Sequence, residues 1–325
     1  MRRSFLSTLT TILSTVIFSS FAALPAWAVS PDLKLLSLVP PHAEILSGIK
    51  PSPSKEQSNR FLLATKQDKI DMDDLAALIG VDSNRGTYEI LLEAARDHSG
   101  RLNEHSLLVS GRFDQARIFR SAVSNGATVT KYRGVDVLVV VPFLRERGVL
   151  DDVRWLAILD SGIVLFGTIS SVQEELDRYQ GHNSAEPFFR RPLGRLRRNS
   201  ETWSMLLASS GNAQTPIAIK SIEPVLPGVI PLGSTLAFSI HYGSQIEFEY
   251  DLSASSAADV QSSFHSLSQT FLGSTAKASS FLPDTKSSGS DYDLHGEGKL
   301  TKEKYEAWMA EIAAKNATRD ASGHP

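Results

Sequence analysis

The 325-residue sequence contains no cysteine. This absence excludes disulfide bonds, thiolate metal sites, a cysteine nucleophile and lipoprotein acylation. The apolar core alone must therefore stabilise the fold. That is sufficient at this length, because a chain of about 300 residues buries most of the surface that its unfolded form exposes. Hydrophobic residues make up 42% of the sequence, which indicates a packed globular protein.

Long apolar runs are also scarce after the first 28 residues. The longest one, Val135–Leu144, is too short to span a bilayer and contains Asp136. We therefore expect no transmembrane segment in the mature chain.

The first 28 residues have the three parts of a cleavable signal peptide. Arg2 and Arg3 form a positive start, Phe5–Ala23 is uncharged and mainly apolar, and Leu24–Ala28 ends in the small-x-small pattern that signal peptidase requires. We predict cleavage after Ala28 and an extracytoplasmic mature protein, either periplasmic or secreted. An uncleaved anchor helix is the alternative, although the Ser and Thr residues of the apolar part weaken burial in a bilayer. The twin arginines leave the export route open.

The charge balance argues against nucleic acid as a partner. Residues 1–28 hold two of the 33 Lys and Arg residues, so 31 basic residues face 36 acidic ones in the mature chain. A slightly acidic protein has no electrostatic reason to bind nucleic acid or anionic membrane.

Hydrophobic patterning predicts alternating strands and helices in the first half of the chain. A strand at Ala43–Ile49 precedes a Pro/Ser loop and a short helix at 71–80. A strand at Ser106–Ser110 then leads to Asp114, which is positioned to cap a helix. The residues expected on the buried face of that helix are Ile118, Phe119, Ala122 and Val123.

Four antiparallel strands and a second helix follow. Arg133-Gly134 and Asp160-Ser161-Gly162 predict tight turns between them. Ser170 and Gln173 form a capping box that opens the helix. The expected strands are Thr128–Tyr132, Val135–Val141, Arg154–Leu159 and Ile163–Gly167, and the expected buried side of the helix is Val172, Leu176 and Tyr179.

The second half contains a hairpin pattern at residues 236–252. Alternate residues are apolar, and Gly243-Ser244 predicts a type II′ turn. The intervening residues, which include Glu249 and Asp251, are expected to face water. Amphipathic helices should follow, one with Val260 and one with Tyr305 on the buried face.

These patterns predict an α+β protein of two sheet-and-helix modules with mainly antiparallel sheets. We place the modules at residues 30–198 and 199–315, with a polar, disordered tail at 316–325. Helices are expected on one face of the sheets. A hairpin followed by a helix occurs in both halves, which makes a distant internal duplication a hypothesis.

Three short motifs stand in the order found in serine β-lactamases and penicillin-binding proteins. They are Ser52-x-x-Lys55, Ser210-x-Asn212 and Lys286-Ser287-Ser288-Gly289. Two prolines, however, place the first motif in a loop instead of at the start of a buried helix, and the third motif has one serine too many. We therefore assign no catalytic residue.

Residues 293–304 resemble an EF-hand calcium loop, with Gly298 at its turn. His295 and Lys304 stand where oxygen ligands are needed. The preferred interpretation is a strand that ends at Gly298 and a helix capped by Thr301. None of the eight histidines forms a closely spaced pair, so we predict neither a metal nor a cofactor.

Five arginines lie close together within residues 190–198, between the two modules. An anion site is one interpretation. A solvated connector whose arginines pair with the surplus acids is preferred, since most charge runs are solvated.

Four short segments carry a resemblance. Leu38–Ala43 lies near the mature start, and Gly111–Asp114, Tyr132–Gly134 and Phe166–Thr168 lie where one predicted element leads into the next. They resemble a class of uncharacterised exported bacterial proteins, which open with a Leu-x-Pro-x-Asp-Ala type of segment and repeat a Gly-x-Phe-Asp step from strand to helix. The resemblance covers residues 35–180. It implies an α+β fold with no assigned activity.

We expect a non-enzymatic binding or structural protein of the cell envelope, with an unknown protein or envelope component as its partner. An extracytoplasmic hydrolase with scattered site residues is the alternative, because triad members need only meet in space. An unpaired sheet edge or an exposed apolar patch would favour the binding protein. A cleft where His, Ser and a carboxylate converge would favour the hydrolase.

Overall fold

Twelve strands form one sheet within the part of the chain that the computed structural model describes. That part comprises residues 32–50, 89–96, 102–139, 153–181, 189, 192–194, 200–207, 233–262, 286–289 and 292–307. The strands are β1 (Ile45–Ile49), β2 (Glu89–Arg96), β3 (Leu102–Ser110), β4 (Thr128–Tyr132), β5 (Val135–Val139), β6 (Arg154–Leu159), β7 (Ile163–Thr168), β8 (Thr202–Leu207), β9 (Thr235–Tyr242), β10 (Ile246–Ser253), β11 (Lys286–Gly289) and β12 (Asp293–Leu300). Their order in the sheet is β11-β12-β10-β9-β8-β1-β2-β3-β7-β6-β5-β4.

Every neighbouring pair of these strands is antiparallel, as the sequence patterns predicted. The predicted signal peptide, the helix at 71–80, the five arginines and the tail lie outside the described residues. None of the helices in the described residues has the length and apolar character needed to cross a membrane.

Three helices are α1 (Leu33–Leu38), α2 (Gln115–Ser124) and α3 (Ile169–Gly181), and helical residues also occur at 257–262 and 302–307. Helix α2 has the predicted bounds and the predicted N-cap, because Asp114 accepts a hydrogen bond from the backbone of Arg117. Helix α3 begins earlier than predicted. Its first turn is capped by Thr168, whose hydroxyl accepts from the backbone N–H of Ser171 at 3.2 Å, instead of by Ser170.

Helices cover both faces of the sheet, so the expectation that they cover one face was wrong. Successive residues of β3 show this, since Leu107 shares a core with Ile118 of α2, whereas Leu108 shares a core with Leu176 of α3. Successive side chains of a strand point to opposite faces. The reason is visible in β1, where all five residues are buried, because a strand that is apolar on both sides needs cover on both sides.

The turns agree only in part with their sequence signals. Arg133 and Gly134 both have positive φ, 49° and 86°, which suits the predicted two-residue hairpin turn between β4 and β5. Between β9 and β10, however, Tyr242 pairs with Ile246, so three residues form the loop. Gly243 is not in the left-handed region that a type II′ turn requires, and that prediction was wrong.

Two positions of β12 are occupied by glycine, because aromatic rings of β10 lie where their side chains would be. A Cβ on Gly296 would stand 2.1 Å from the Tyr250 ring, and one on Gly298 would stand 2.1 Å from the Phe248 ring. The strand pairs with β10 as far as Leu300, so the prediction that it ends at Gly298 was wrong. The backbone of Lys304 then donates to Thr301 Oγ1, which confirms a strand followed by a capped helix in place of a calcium loop.

Strands from both predicted modules share the sheet. Strand β1 lies between β2 of the N-terminal module and β8 of the C-terminal one. On the C-terminal side of the β1–β8 pair the order is β9-β10-β12-β11, and on the other side it is β2-β3-β7-β6-β5-β4. This difference gives no support to an internal duplication.

Candidate functional site

Carboxyl groups are buried between the sheet and the helices α1 and α3. Glu89 and Glu93 lie on the same face of β2, Glu44 precedes β1, and Glu175 of α3 is 0% exposed. Glutamate is almost never fully buried without a partner. None of these residues was predicted to belong to a site. Glu175, for example, stands between the apolar residues that define the buried side of α3 and has no local signal of its own.

Glu93 and Glu175 meet at the hydroxyl group of Ser106, which is also buried. A hydroxyl has one proton to donate, so it cannot donate to both carboxylates at once. One carboxyl group must therefore be protonated and donate to Ser106. Burial raises the pKa of Glu175 well above its usual range, and the nearby charge of Glu93 raises it further, which favours a protonated Glu175.

Glu89 connects three elements of the fold. Its carboxylate accepts a hydrogen bond from the backbone N–H of Asp32 at 2.7 Å and one from Trp203 Nε1 at 3.3 Å. Burial raises the pKa of Glu89, although the charge of Lys50 and these two hydrogen bonds oppose the shift. Glu89 thus joins the start of α1 and strand β8 to β2.

A second polar group lies on the C-terminal strands. His295 Nε2 is 3.2 Å from Glu249 Oε1, and His295 Nδ1 is 3.8 Å from Asp251 Oδ2. Both carboxylates are buried, so the expectation that this side of β10 faces water was wrong. The physical reason is the histidine on the adjacent strand, which supplies polar partners to the two carboxylates.

Register places a serine, a histidine and an aspartate in one row across three strands. Ser288 of β11 is the Cα partner of His295, whose partner on the other side is Asp251. The third β-lactamase-like motif, which contains Ser288, lies on a strand as that family requires. The first two motifs lie outside the described residues.

Among the described residues, no group of three or more His, Asp or Glu side chains is placed to hold a metal ion.

The opposite end of the sheet is formed by β4, which pairs with β5 and with no other described strand. Val129 of this strand is 47% exposed, and Lys131 is exposed beside Asp136, with 3.4 Å between Nζ and Oδ1. Val123 of α2 is 48% exposed, which corrects the prediction that it shares the buried face of the helix. Exposed apolar residues at a sheet edge are a typical feature of binding surfaces.

The segment Gly111–Asp114 has a defined structural role. The backbone N–H groups of Gly111 and Phe113 donate to the carbonyl oxygens of Gly162 and Ser161, each at 2.9 Å. Phe113 is buried under α2, and Asp114 caps that helix.

Comparisons with family models, curated proteins and solved structures give no match to this chain. The resemblance to exported bacterial proteins therefore stays a prediction based on such segments.

Proposed function

We propose that this chain is a non-enzymatic binding protein of the cell envelope, which captures an extended segment of another polypeptide along the outer edge of β4. The observation that carries the proposal is the position of β4 at the end of the sheet, with an exposed valine in its centre. An extended peptide can add to such an edge as a further strand.

The backbone of β4 supports this mode of binding. Tyr132 and Val135 flank the two-residue turn and pair with each other, so Tyr132, Thr130 and Thr128 direct their backbone groups to β5. Val129 and Lys131 alternate with them and direct their N–H and C=O groups outward. An incoming strand would find these groups in the spacing of an antiparallel ladder.

The side chains near this edge favour an acidic, partly apolar segment. Val129 lies on the α2 side of the sheet, because its partner Leu138 belongs to the core beneath α2. Helix α2 contacts β4 and carries the exposed Arg117 and Arg120 without any acidic residue. An apolar side chain opposite Val129, flanked by acidic ones, would match this surface.

The β4–β5 turn is held in place by α3. Arg133 Nε lies 2.5 Å from Asp177 Oδ1, and Gln180 Nε2 donates to the backbone carbonyl of Arg133 at 2.8 Å. An edge that is already ordered loses less conformational entropy when a partner binds, which increases affinity.

The test uses Val129→Pro, with Val129→Thr as the matched control. Proline removes the outward N–H of residue 129 and leaves the bonds between β4 and β5 intact, because edge strands tolerate proline on their free side. The probe is a ten-residue peptide with Val and Glu alternating along one face and Thr on the other face, compared with the same peptide carrying Lys in place of Glu. Binding is measured by titration calorimetry, and the site by amide protection in NMR spectra.

The Val/Glu peptide should protect the amides of Val129 and Lys131, bind at least about tenfold more tightly than the Val/Lys peptide, and lose this affinity in V129P but not in V129T. Protection elsewhere, or equal binding by V129P, would contradict the proposal.

Export has its own test, which is the intact mass of the protein from its native host. A chain that begins at Val29 is expected, and a membrane-bound chain that retains residues 1–28 would instead mean an anchor.

A second candidate function, an extracytoplasmic hydrolase, is favoured by the row of Ser288, His295 and Asp251. It ranks second because His295 Nε2, the nitrogen that would accept the serine proton, faces Glu249. A fluorophosphonate probe distinguishes the two functions. Labelling of the wild-type chain that is lost in Ser288→Ala would support the hydrolase, and no labelling above that of Ser288→Ala would exclude this site.

A further inference from the structure

The two carboxyl groups that meet at Ser106 belong to separate elements of the fold. Glu93 lies on β2, Ser106 on β3 and Glu175 on α3. We propose that these three side chains form a proton-operated latch, in which one proton retained by the carboxyl pair holds α3 on the sheet and its loss releases the helix. The three side chains of the latch lie away from the proposed binding edge at β4, although α3 also contacts the β4–β5 turn through Asp177 and Gln180.

The hydrogen-bond geometry shows why the proton is needed. Ser106 Oγ lies 3.0 Å from Glu93 Oε2 and is also hydrogen-bonded to Glu175 Oε1. With one proton present, Glu175 donates to Ser106 and Ser106 donates to Glu93, so each contact has one hydrogen. Without that proton, two buried carboxylates would share a single hydroxyl hydrogen, and Glu175 Oε2 already has no partner among the described residues.

Within the part of the chain that the structure describes, no cation is found among the charges that act on Glu175. The charges that act on it are negative, from Glu93 and from Glu174 of its own helix. Glu174 is itself paired on the outer side of the helix with Arg178 and, at 3.7 Å, with His42. The other elements packed against α3 contribute buried apolar side chains to the same core, namely Leu36 of α1, Leu108 of β3, Ala157 of β6 and Leu165 of β7.

The direction of the pH effect follows from the raised pKa of Glu175, which is caused mainly by burial. In the released helix this carboxyl group titrates near its ordinary pKa of about 4.3, and in the packed helix it titrates well above that. The contribution of the latch is therefore complete below about pH 4 and is lost as pH rises toward the pKa of the packed state. Across that window the equilibrium for packing α3 should weaken about tenfold per pH unit.

Hydrogen exchange measured by NMR between pH 5 and pH 9 tests the latch. The readout is the ratio of protection factors of α3 to those of α2, which lies on the opposite face and serves as an internal control. This ratio should fall with pH in the wild-type chain by up to about tenfold per unit. In Glu175→Gln the ratio should stay constant, because the amide donates to Ser106 as the protonated carboxyl group does.

Two further variants keep the test decisive. Glu174→Gln removes the weaker of the two charges that raise the pKa of Glu175, so its profile should shift less than that of Glu93→Gln. Glu93→Gln removes the negative charge beside Glu175, so the fall in the ratio of protection factors should end at a lower pH. This variant replaces Glu175→Gln as the test if Glu175→Gln does not fold. A wild-type ratio that is constant with pH, or a profile that Glu93→Gln leaves unchanged, would overturn the proposal. A fall in global stability without a change in the ratio would also overturn it, because α3 would not be released separately.

Discussion

The indole ring of Trp203 occupies the space that a side chain on Gly48 would need. The two residues are register partners on β8 and β1, and a Cβ on Gly48 would lie 2.0 Å from Trp203 Cε2. Because Gly48 has no side chain, the indole crosses over β1 and reaches Glu89 on β2. One glycine thus allows a hydrogen bond between strands that are not neighbours.

Gly48→Ala should therefore destabilise the protein by about 3 kcal/mol, since the ring must move out of a packed core and lose its hydrogen bond to Glu89. Urea unfolding followed by tryptophan fluorescence measures the change. Gly243→Ala is the matched control, because its Cβ would meet nothing closer than 3.4 Å. It should cost less than about 0.5 kcal/mol, and equal midpoints for the two variants would show that the indole is not confined.

Asp114→Ala should reduce the free energy of unfolding by about 1 kcal/mol, because the backbone N–H of Arg117 loses the acceptor that caps α2. Asp114→Asn should retain most of the stability, since asparagine is an equally good N-cap. Thermal unfolding followed by circular dichroism compares the two. If both variants lose the same amount, the charge of Asp114 and not its cap would be responsible.

The elements that sequence analysis predicted well are those with local signals at both ends. The N-cap Asp114 and the left-handed Gly126, with φ of 92°, delimit α2 within a single stretch of chain. The turn at Arg133 and Gly134 likewise sets the register of β4 and β5. Such signals act over a few residues and do not depend on the rest of the fold.

The candidate sites could not be predicted, because residues distant in the sequence form them. Glu93 and Glu175 meet through the pairing of β2 with β3 and the packing of α3, and neither event has a signal near Glu175. In the same way, alternation predicted that Asp251 faces water, since the pattern of β10 contains no information about His295 on the next strand. Register and helix placement decide these contacts.

Glu89→Gln should destabilise the protein by about 1–3 kcal/mol. Both groups that bind this carboxylate, the backbone N–H of Asp32 and the indole N–H of Trp203, are donors. Glutamine offers one acceptor oxygen, so its own N–H group would face the other donor. Urea unfolding of Glu89→Gln, Trp203→Phe and the double variant measures the effect. The double variant should lose less than the sum of the single ones, and strict additivity would mean that the two side chains do not interact.

Tyr250 should be among the last tyrosines to ionise as pH rises. Its ring is packed over Gly296 in the core, and burial raises the pKa of Tyr250 to about 12, against about 10 for an unfolded chain. The folded state keeps this proton between about pH 10 and pH 12, so the contribution of Tyr250 to stability is present below pH 10 and is lost across that interval. A stopped-flow pH jump, with absorbance at 295 nm recorded before unfolding, should show an ionisation step near pH 12 that disappears in Tyr250→Phe. The matched control is Tyr292→Phe, which alters an exposed tyrosine and should leave that step in place. If the step near pH 12 survives in Tyr250→Phe, another tyrosine produces it, and the burial of this phenol does not control its ionisation.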